Sequence, residues 1–523
     1  MTLSQNRLKT LSSNLALLSD IRRGVEKEGL RVNTAAYLTA SAHPTALGSA
    51  LCNSRITTDY AESLLELITI PHHSVEELRA ELQQVHQFVV HNIGDEIIWN
   101  QSMPAHLPAE PDITIGWYGE SNTGMFKHVY RRGLAERYGK RMQCIAGVHY
   151  NYSLPDAIWP LLQMDGHTLQ EQRSTGYLAL IRNFTRYSWL LMYLFGASPV
   201  VSKDFLDGQN LPLEQIGPDS YCLPWATSLR MSDLGYQNKE AQAELQLCYN
   251  DLDTFLLRMH KAATTVWPAY EQIGTHRDGQ WIQLNTNILQ IENEYYSNIR
   301  PKSIPTNDER PSSALANRGV EYVEVRCLDV DPFDPIGLSA ETSRFLDAFL
   351  LFCAVEPSPY FPDGGFCQDS KNNFTKVVTE GRKPGLLLRN QHKQDVELKS
   401  WAEDILLAMR PYAELFDKGT SQTLYQDALE LQLAKVQDAS LCPSARLLAE
   451  LKASGQSFVD FSYAQSQQHK ETLLKLDLPT EITEAFKQEA LDSLAKQQQI
   501  EAAEKDQTFE SFLHQYQGLL ESQ

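Results

Sequence analysis

Residues 22–32 read RRGVEKEGLRV, and this run lies within a predicted β-strand that extends over Ile21–Val32. Side chains alternate between the two faces of a strand, so Glu26 and Glu28 are predicted to point in the same direction. A single carboxylate pair of this kind is common on the solvated face of an antiparallel strand. The pair therefore indicates a functional site only if other segments bring similar side chains beside it.

Two further strand-like runs carry polar side chains at the same spacing. In VEYVEVRCLD, Glu324 and Arg326 share one face, and apolar side chains occupy the other. In AGVHYNYSL, His149 and Asn151 share a face. A lone histidine on a strand is more often structural, but beside carboxylates and an amide it becomes a candidate metal ligand or substrate contact.

A third acidic segment, TTDYAESLLELIT, contains Asp59, Glu62 and Glu66. Glu62 and Glu66 are four residues apart, and this spacing places both side chains on one face of either a helix or a strand. The pattern does not decide between these two elements. Three acidic segments with apolar neighbours favour a shared acidic site over three separate solvated surfaces.

Electrostatics indicates what such a site would contain. Two carboxylates about 4 Å apart repel each other by roughly 4 kcal/mol at an effective dielectric constant of 20. A cluster of four ionised carboxylates therefore requires cations. Mg²⁺ fits best, because it binds few protein carboxylates and keeps coordination positions for phosphate oxygens. A carboxylate-lined sheet with Mg²⁺ and a nearby arginine is one way to hold ATP.

The common nucleotide-binding and hydrolase motifs are absent from the sequence. The nearest approach to GxxxxGK[ST] is GLAERYGKR, which begins at Gly133, has five residues between its glycines and has Arg141 after the lysine. GxGxxG after a strand, HExxH and GxSxG do not occur. If the protein uses ATP, it does not hold the phosphates in a P-loop.

Bulk composition limits the function classes. The chain has 523 residues and a formal net charge of −20, which makes nucleic acid an unexpected partner. We expect neither a signal peptide nor a membrane span, because the apolar runs are too short. The eight cysteines form no CxxC pair and are predicted to be buried free thiols, although one disulfide stays an alternative. These features predict a cytoplasmic protein, and length alone favours two to four domains.

Hydrophobic periodicity predicts mixed helices and strands in the first part of the chain. Residues 5–20 and Gly176–Leu194 are predicted helices, and Pro301–Ser313 is a predicted loop. The residues from about Glu397 onward are rich in Leu, Ala, Gln, Glu and Lys and are predicted to be mainly helical. The predicted strands beyond the first are Ile145–Leu154, Trp281–Gln290 and Val320–Leu328.

Several long runs between Ile21 and Leu388 resemble the glutamate–cysteine ligase family of gamma-proteobacterial type. They are RRGVEKEGLRV, HPTALGSAL, ITTDYAESLLELIT, SNTGMFKHVYRRGL, GVHYNYSLP, YLFGASP, ATSLRMSDLGY, LQIENEYYSNIRPK, GVEYVEVRCLD and EGRKPGL. The motifs are long, specific and in order along the chain. The C-terminal stretch matches less clearly, and the resemblance implies no residue role there.

The resemblance implies an α+β fold similar to glutamine synthetase, with an antiparallel sheet curved into a funnel and helices around it. It replaces the expectation of several domains with one large unit. Residues 1–395 would form the catalytic body with the ATP, metal and amino-acid sites. Residues 396–523 would form a mainly helical C-terminal portion packed on the same unit.

The resemblance also implies a reaction. Glutamate's γ-carboxylate attacks the γ-phosphorus of ATP, and the amine of cysteine then attacks the resulting γ-glutamyl phosphate, in the first step of glutathione biosynthesis. The substrates would be ATP, L-glutamate and L-cysteine, with two or three Mg²⁺ ions, for which Mn²⁺ could substitute. A monomer is expected. The alternative is an ATP-dependent carboxylate–amine ligase that uses another small amine acceptor.

Site residues follow from the resemblance at matching positions. The implied metal ligands and contacts are Glu26, Glu28, Asp59, Glu66, His149 and Glu324. Glu324 and Arg326 are the implied catalytic pair, and the arginine would stabilise charge on the transferring phosphoryl group. The implied cysteine site comprises Tyr130, Arg230, Tyr236 and Tyr296. The implied glutamate contacts are Arg131, Gln143 and Asn151.

Overall fold

The chain folds into an α+β structure in which helices surround one large antiparallel sheet. The computed structural model describes residues 2–208, 211–234, 240–243, 245, 247–304, 306, 309–365 and 367–521. The strands are β1 (Arg22–Val32), β2 (Ile56–Thr58), β3 (Leu64–Ile68), β4 (Ile97–Ile98), β5 (Val148–Ser153), β6 (Val200–Ser202), β7 (Glu214–Gly217), β8 (Ser220–Cys222), β9 (His276–Arg277), β10 (Gln280–Trp281), β11 (Ile299–Lys302), β12 (Tyr322–Leu328), β13 (Leu387–Arg389) and β14 (Asp395–Glu397). The helices are α1 (Leu3–Ser12), α2 (Ala16–Ser19), α3 (Val75–Asn92), α4 (Asn122–Tyr138), α5 (Ile158–Leu161), α6 (Leu169–Phe195), α7 (Lys203–Leu206), α8 (Glu240–Ala243), α9 (Leu252–Thr264), α10 (Pro268–Ile273), α11 (Pro311–Arg318), α12 (Ala340–Val355), α13 (Pro362–Gly365), α14 (Gln368–Glu380), α15 (Leu398–Asp417), α16 (Leu424–Gln437), α17 (Pro443–Ser454), α18 (Phe458–Lys475), α19 (Thr480–Glu504) and α20 (Phe509–Glu521).

The large sheet places distant segments of the chain side by side. Its strand order is β11–β12–β5–β1–β3–β2, and β4 pairs with the end of β1. All of these pairings are antiparallel. In this register Glu28 lies opposite Glu66, and Glu26 lies opposite His149. The predicted α+β class with a large antiparallel sheet is confirmed.

Two long apolar helices form much of the core behind the sheet. The helix α6 begins after Thr168, whose side chain forms a capping box with Glu171, and ends at Phe195, before Gly196. The helix α12 begins after Ser339, whose hydroxyl accepts a hydrogen bond from the Thr342 backbone amide. Most residues of both helices are buried, which explains why their apolar side chains surround the helix axis.

The C-terminal helices pack on several parts of the first 395 residues. The Tyr412 hydroxyl donates to Glu356 over 2.6 Å, and the Asn100 backbone amide donates to the Ser466 hydroxyl over 3.0 Å. Arg55 forms an ion pair with Glu489 at 2.7 Å. The predicted helical character of this portion is confirmed, whereas the boundary between residues 395 and 396 stays a prediction.

The predicted opening helix over residues 5–20 is wrong in its continuity. The helix α1 ends at Ser12, and the short α2 begins only at Ala16. The Ser13 hydroxyl donates to the Lys9 carbonyl oxygen, and the Asn14 side chain donates to the Thr10 carbonyl oxygen. Such side-chain bonds to backbone carbonyls compete with helix continuation.

The predicted strand Trp281–Gln290 is also wrong beyond its first residue, because β10 ends at Trp281. Arg137 instead binds the following irregular segment, donating to the Gln283 side chain at 3.0 Å and to the Asn285 carbonyl oxygen at 2.8 Å. These bonds replace the ladder that a strand would need. The predicted loop Pro301–Ser313 is shorter than expected, since β11 and α11 include its two ends.

Two expectations concern the chain as a whole. In the described part of the chain, no helix is long and apolar enough to cross a bilayer. The eight cysteines are free thiols, six of them buried and two partly buried. The prediction of free thiols is therefore confirmed, and the single-disulfide alternative is wrong.

Candidate active site

The site lies on one face of the large sheet, where four neighbouring strands each contribute a side chain of a type that could bind a metal ion. Glu324 comes from β12, His149 from β5, Glu26 and Glu28 from β1, and Glu66 from β3. Alternation along β1 explains why both of its glutamates face the same side. Antiparallel pairing then brings together residues that are up to about three hundred positions apart in sequence.

These side chains line a cavity of about 770 Å³. Eleven of the residues that the sequence predicted for the site line it: Glu26, Glu28, Asp59, Glu66, Tyr130, Arg131, Gln143, His149, Tyr296, Glu324 and Arg326. A cavity of this volume is within the usual range for small-molecule sites. The structure therefore brings together most of the candidate residues in one cavity.

The imidazole of His149 lies between two groups of carboxylates. Its Nδ1 atom is 3.3 Å from Glu26 Oε2 and 3.4 Å from Glu324 Oε1, and its Nε2 atom is 3.8 Å from Glu28 Oε1. In each of two triads, Glu26–His149–Glu324 and Glu28–Glu66–His149, the potential ligand atoms lie within 4.8 Å of one another. Two adjacent ion sites can therefore form around one histidine.

The carboxylates of the site differ in their electrostatic environment. Burial opposes ionisation of Glu324, but the charges of Lys302 and Arg326 outweigh burial and hold its pKa well below the usual value. Burial raises the pKa of Glu66 well above its usual value, and the neighbouring charge of Glu26 adds to this shift. Burial and like charge together thus oppose ionisation most strongly at the Glu66 side of the cluster.

The donor set fits hard divalent cations. Carboxylate oxygens dominate it, and one imidazole nitrogen accompanies them. Oxygen donors of this kind suit Mg²⁺ and Mn²⁺, whereas sites for softer metals contain thiolates. The two clusters of potential ligand atoms argue for cations here, and a bound divalent ion would favour the ionised form of Glu66 against the burial and like charge that raise its pKa.

Three cationic side chains surround Glu324. Arg326 Nη1 lies 2.8 Å from Glu324 Oε1, and Lys302 Nζ lies 3.4 Å from Oε2. Arg300 Nη1 lies 3.9 Å from the same Oε2 atom. Sequence reasoning missed Arg300 and Lys302, although their i, i+2 spacing in the run NIRPK matches the spacing that identified Glu324 and Arg326.

The helix α4 forms the opposite wall with residues at helical spacing. Lys127, Tyr130 and Arg131 line the cavity, and the Arg131 guanidinium donates to the Asp59 carbonyl oxygen. Burial, followed by the charge of Arg131, lowers the pKa of Lys127 to about 8. Lys127 lies in the run SNTGMFKHVYRRGL, but the sequence analysis assigned it no role. Its i, i+4 spacing to Arg131 could have indicated that both side chains lie on the same face of the helix.

Two predicted site residues of the described structure, Asn151 and Arg230, do not line the cavity, and a third lies outside the described residues. The Asn151 side chain donates to the Glu26 Oε1 atom over 2.9 Å. Arg230 is 1% exposed, with Nη1 3.7 Å from Asp329 Oδ1 and Nη2 donating to the Arg326 carbonyl oxygen over 3.0 Å. Tyr236 lies outside the described residues.

The buried Arg230 guanidinium packs closely against the backbone at Gly147. A Cβ atom at Gly147 would lie 2.0 Å from Arg230 Nη2, so only glycine leaves room for the guanidinium. The Gly147 backbone amide also donates to Glu28 over 2.6 Å. Gly147 therefore contacts both the buried arginine and a carboxylate of the cluster.

Glu62 is not part of the site. The chain turns between β2 and β3, so Glu62 and Glu66 do not share the single helix or strand that their spacing assumed. The Glu62 carboxylate instead accepts hydrogen bonds from the backbone amides of His43 and Trp117, at 2.8 and 2.7 Å. Its role in the described structure is to connect two loops.

The C-terminal helix contributes a wall that sequence reasoning did not predict. Residues at the end of α19, in the following turn and on α20 line the same cavity: Glu504, Gln507, Phe512, Gln515, Tyr516 and Leu519. The spacing of the α20 residues is typical of one helical face, but spacing alone cannot show which surface that face meets.

Comparison with known proteins gives one consistent result. Residues 8–377 match the family model described as glutamate-cysteine ligase. The glutamate–cysteine ligase of Bordetella petrii is 56% identical over 517 residues, covering 99% of this chain and 98% of that protein. The glutamate–cysteine ligase of Pseudomonas putida strain W619 is 52% identical over 519 residues, covering 99% and 98%.

A solved structure agrees with the sequence relatives. The crystal structure of glutamate–cysteine ligase from Francisella tularensis in complex with AMP superposes with a TM-score of 0.89 at 37% identity, covering 96% of this chain and 98% of that chain. The match therefore extends over the fold, the site and the C-terminal helices. The chain belongs to the glutamate–cysteine ligase family, ATP-dependent C–N ligases that catalyse the first step of glutathione biosynthesis.

Proposed function

We propose that the cavity on the sheet is where ATP, glutamate and cysteine react, through a γ-glutamyl phosphate intermediate. The observation that carries this proposal is the convergence of Glu26, Glu28, Glu66, His149 and Glu324 in one cavity beside Arg326. Glutamate's carboxylate is a poor acyl donor, and phosphorylation gives it a good leaving group. The protein's contribution is positioning and charge neutralisation, as in other phosphoryl transfers.

We propose two divalent-ion sites in the two triads. Glu26 and Glu324 with His149 would hold one ion, and Glu28 and Glu66 would hold the other, with Asp59 near the second. Bound Mg²⁺ would neutralise phosphate charge and orient the transferring group. The same proposal allows a third Mg²⁺ ion to bind with the nucleotide, and it allows Mn²⁺ to substitute for Mg²⁺. The AMP complex of the Francisella relative supports nucleotide binding within this fold.

Arg326, Lys302 and Arg300 are proposed to stabilise negative charge on the transferring phosphoryl group. All three line the cavity and lie within 4 Å of the Glu324 carboxylate. A metal ion held by Glu324 would satisfy the carboxylate, and these three cations would then be available to phosphate oxygens. Arginine suits this role because its planar fork matches two phosphate oxygens at once.

The amino-acid contacts are proposed on the same basis. Tyr130 and Tyr296 would form walls of the cysteine site, since both line the cavity. Arg131 and Gln143, which also line it, would contact glutamate. Asn151 would act through Glu26, to which it donates a hydrogen bond.

Arg230 is proposed as a cysteine-site residue that acts from behind the cavity wall. It donates to the Arg326 carbonyl oxygen, and Tyr296 donates to the sulfur of Met231, the next residue in the chain. A role for Tyr236 rests on the family resemblance alone, because it lies outside the described residues.

The remaining proposals concern the whole chain. We propose one catalytic unit, residues 1–395, with residues 396–523 packed on it, acting as a monomer in the cytoplasm. The net charge of −20 argues against a nucleic-acid partner. Analytical ultracentrifugation tests the oligomeric state, and a dimer at micromolar protein concentration would contradict the proposed monomer.

A coupled ADP-release assay tests the proposed chemistry. With ATP, glutamate and Mg²⁺, we expect rapid ADP release only after cysteine is added, and a panel of other small amines identifies any alternative acceptor. Faster release with another amine would favour the alternative carboxylate–amine ligase. Transfer of ¹⁸O from the glutamate γ-carboxylate to phosphate tests the acyl phosphate, and phosphate without the label would contradict it.

A further inference from the structure

A second cavity lies at the start of α12. Its volume is about 350 Å³, which is within the usual range for small-molecule sites. The residues that line it come from the ends of α6 and β12, the first turn of α12, one face of α16 and the turn before α17. Among the described residues, none lines both this cavity and the cavity of the candidate active site. We call it the α12–α16 cavity.

Three charged side chains of the α12–α16 cavity are not paired with one another. Asp331 and Glu341 are acidic, and Lys435 is basic. The Lys435 ammonium donates to the Leu194 carbonyl oxygen over 2.9 Å, and within the described part of the chain it forms no ion pair with either carboxylate. Charged groups away from bulk water are costly unless they have partners of opposite charge. The cavity therefore offers both a positive and a negative group to a ligand.

The pKa values of two of these groups agree with incomplete pairing. Burial lowers the pKa of Lys435, and the nearby charges, including those of Asp331 and Glu341, offset only part of this shift. Burial raises the pKa of Asp331, and the charges of Lys435 and Arg446 offset only part of that shift. A ligand that carries both charges would stabilise the ionised forms of both side chains.

A fourth charged residue of the wall, Asp329, is already bonded through both carboxylate oxygens. Its Oδ1 atom accepts a hydrogen bond from the Ser228 hydroxyl over 3.0 Å, and its Oδ2 atom accepts one from the Ser198 hydroxyl over 2.7 Å. Arg230 Nη1 lies 3.7 Å from the same Oδ1 atom. Asp329 is therefore satisfied within the protein, and the other three charged groups remain available to a ligand.

The wall that carries Asp331 is fixed by hydrogen bonds. The Asp331 Oδ1 atom accepts from the Phe333 backbone amide over 3.0 Å, and the Asp331 backbone amide donates to the Gly337 carbonyl oxygen over 2.9 Å. The Asn100 side chain donates to the carbonyl oxygens of Asp331 and Asp334 over 3.3 and 2.8 Å. A ligand therefore does not have to order this loop in order to bind.

The other walls favour a carboxylate and an apolar group. Backbone amides in the first turn of a helix lack intrahelical partners and carry partial positive charge, and the first turn of α12 lines the cavity. Apolar contacts come from Phe195, Leu328, Leu338, Leu431 and Leu441. Leu431 and Leu441 are 51% and 52% exposed, so solvent reaches this part of the wall.

We propose that the α12–α16 cavity binds a free α-amino acid with an aliphatic side chain. The ligand's carboxylate would pair with Lys435, its ammonium group would pair with Asp331 and Glu341, and its side chain would contact the apolar wall. A simple anion would meet two carboxylates, and a simple amine would leave Lys435 without a partner, so a zwitterion matches the charges best. This inference does not depend on the function proposed for the first cavity.

The experiment measures binding to the full-length protein by isothermal titration calorimetry. The ligands are L-leucine and two analogues of it: 3-methylbutylamine, which lacks the carboxylate, and 4-methylpentanoate, which lacks the ammonium group. The variants are Asp331→Asn and Lys435→Met, and the matched control is Lys452→Met at an exposed position of α17. Thermal melting and the Michaelis constants for glutamate and cysteine are measured for each variant.

We expect L-leucine to bind with a dissociation constant below about 1 mM, and each analogue to bind at least about tenfold more weakly, because each lacks one charge-assisted contact. Both variants should weaken leucine by about tenfold or more for the same reason, and the control should match the unaltered protein. The Michaelis constants of Asp331→Asn should stay within about twofold, because Asp331 does not line the first cavity.

A dissociation constant for L-leucine above about 1 mM, or equal affinities for leucine and both analogues, would overturn the assignment. Unchanged leucine affinity in Asp331→Asn would also overturn it, because leucine would then bind elsewhere, for example in the first cavity. Lys435→Met also loses the hydrogen bond to Leu194. If that variant melts early, the nearly isosteric Asp331→Asn decides.

Discussion

The imidazole of His149 lies with its Nδ1 atom 3.3 Å from the Oε2 atom of Glu26. A neutral imidazole has one nitrogen that accepts and one that donates. His149 can therefore bind an ion of one triad through one nitrogen while the other donates to a carboxylate of the second triad. The two proposed ion sites are consequently unequal, since only one of them has a nitrogen ligand.

Loss of one carboxylate from the triad Glu26–His149–Glu324 should greatly reduce turnover. We expect Glu26→Gln and Glu324→Gln each to lower kcat at least 100-fold, because the amide removes a charged metal ligand at nearly unchanged volume. The melting temperature should change little in Glu26→Gln, whereas Glu324→Gln should melt earlier, because Arg326 and Lys302 lose the negative charge they pair with. Steady-state ADP release at saturating and titrated Mg²⁺ measures both effects.

The control for these variants is Glu62→Gln, in the same acidic segment as Glu66. Glu62 does not line the cavity and accepts two backbone hydrogen bonds. The amide oxygen can still accept one of these bonds, so we expect kcat within about threefold of the unaltered protein. Near-normal kcat in both cavity variants would remove Glu26 and Glu324 from the metal site.

Loss of a cation beside Glu324 should slow phosphoryl transfer. Lys302→Gln is expected to lower kcat about 10-fold to 100-fold, and Arg326→Lys by a similar factor because lysine lacks the planar fork. The Michaelis constant for cysteine should stay within about threefold. A rapid-quench measurement of ADP formation isolates this step, and an unchanged burst rate in both variants would contradict the assigned role.

Arg230 requires a variant that keeps its charge. Removing it altogether would leave Asp329 buried without its ion-pair partner, which typically costs about 3–5 kcal/mol of stability. Arg230→Lys keeps a positive charge but loses the fork that contacts the Arg326 carbonyl oxygen. We expect the Michaelis constant for cysteine to rise about tenfold and that for ATP to rise less than twofold. Equal increases would exclude a role specific to the cysteine site.

Burial of a neutral histidine predicts acid sensitivity. Burial, followed by the charge of Lys27, lowers the pKa of His86 in α3 to about 3. The unfolded chain binds a proton at this group below about pH 6.5 while the folded chain does not, so the free energy of unfolding falls as pH falls from about 6.5 toward 3. Above this window the contribution to stability is intact.

We therefore expect His86→Leu to flatten the loss of stability in acid, by up to about 3 kcal/mol at pH 4. Urea unfolding at pH 7, 6, 5 and 4 measures the slope. The exposed His91 of the same helix provides the control variant His91→Leu. Identical slopes for His86→Leu and the unaltered protein would show that His86 does not contribute.

The strands, and the strand faces that carry the site residues, could be predicted from the sequence, because the alternation of side chains between the two faces of a strand is a local property. Glu26 with Glu28, and Glu324 with Arg326, were assigned to common faces in this way, and the described structure has them so. The same rule applied to Arg300 and Lys302 would have indicated the remaining cations around Glu324.

Other features depend on contacts that no local pattern contains. Glu62 turns away because the chain reverses between two strands, and Arg230 lies behind the wall because Gly147 leaves space for it. The wall formed by α20 depends on docking between segments that are far apart in sequence. Only the folded structure reveals such long-range packing.

The most direct measurement is anomalous scattering from crystals of the protein grown with Mn²⁺ and a non-hydrolysable ATP analogue. The account predicts one manganese peak within about 2.5 Å of oxygens from Glu26 and Glu324, and a second at the same range from Glu28 and Glu66. His149 should bind one of these ions. Well-ordered nucleotide with no manganese peak touching any of these four glutamates would contradict the central claim.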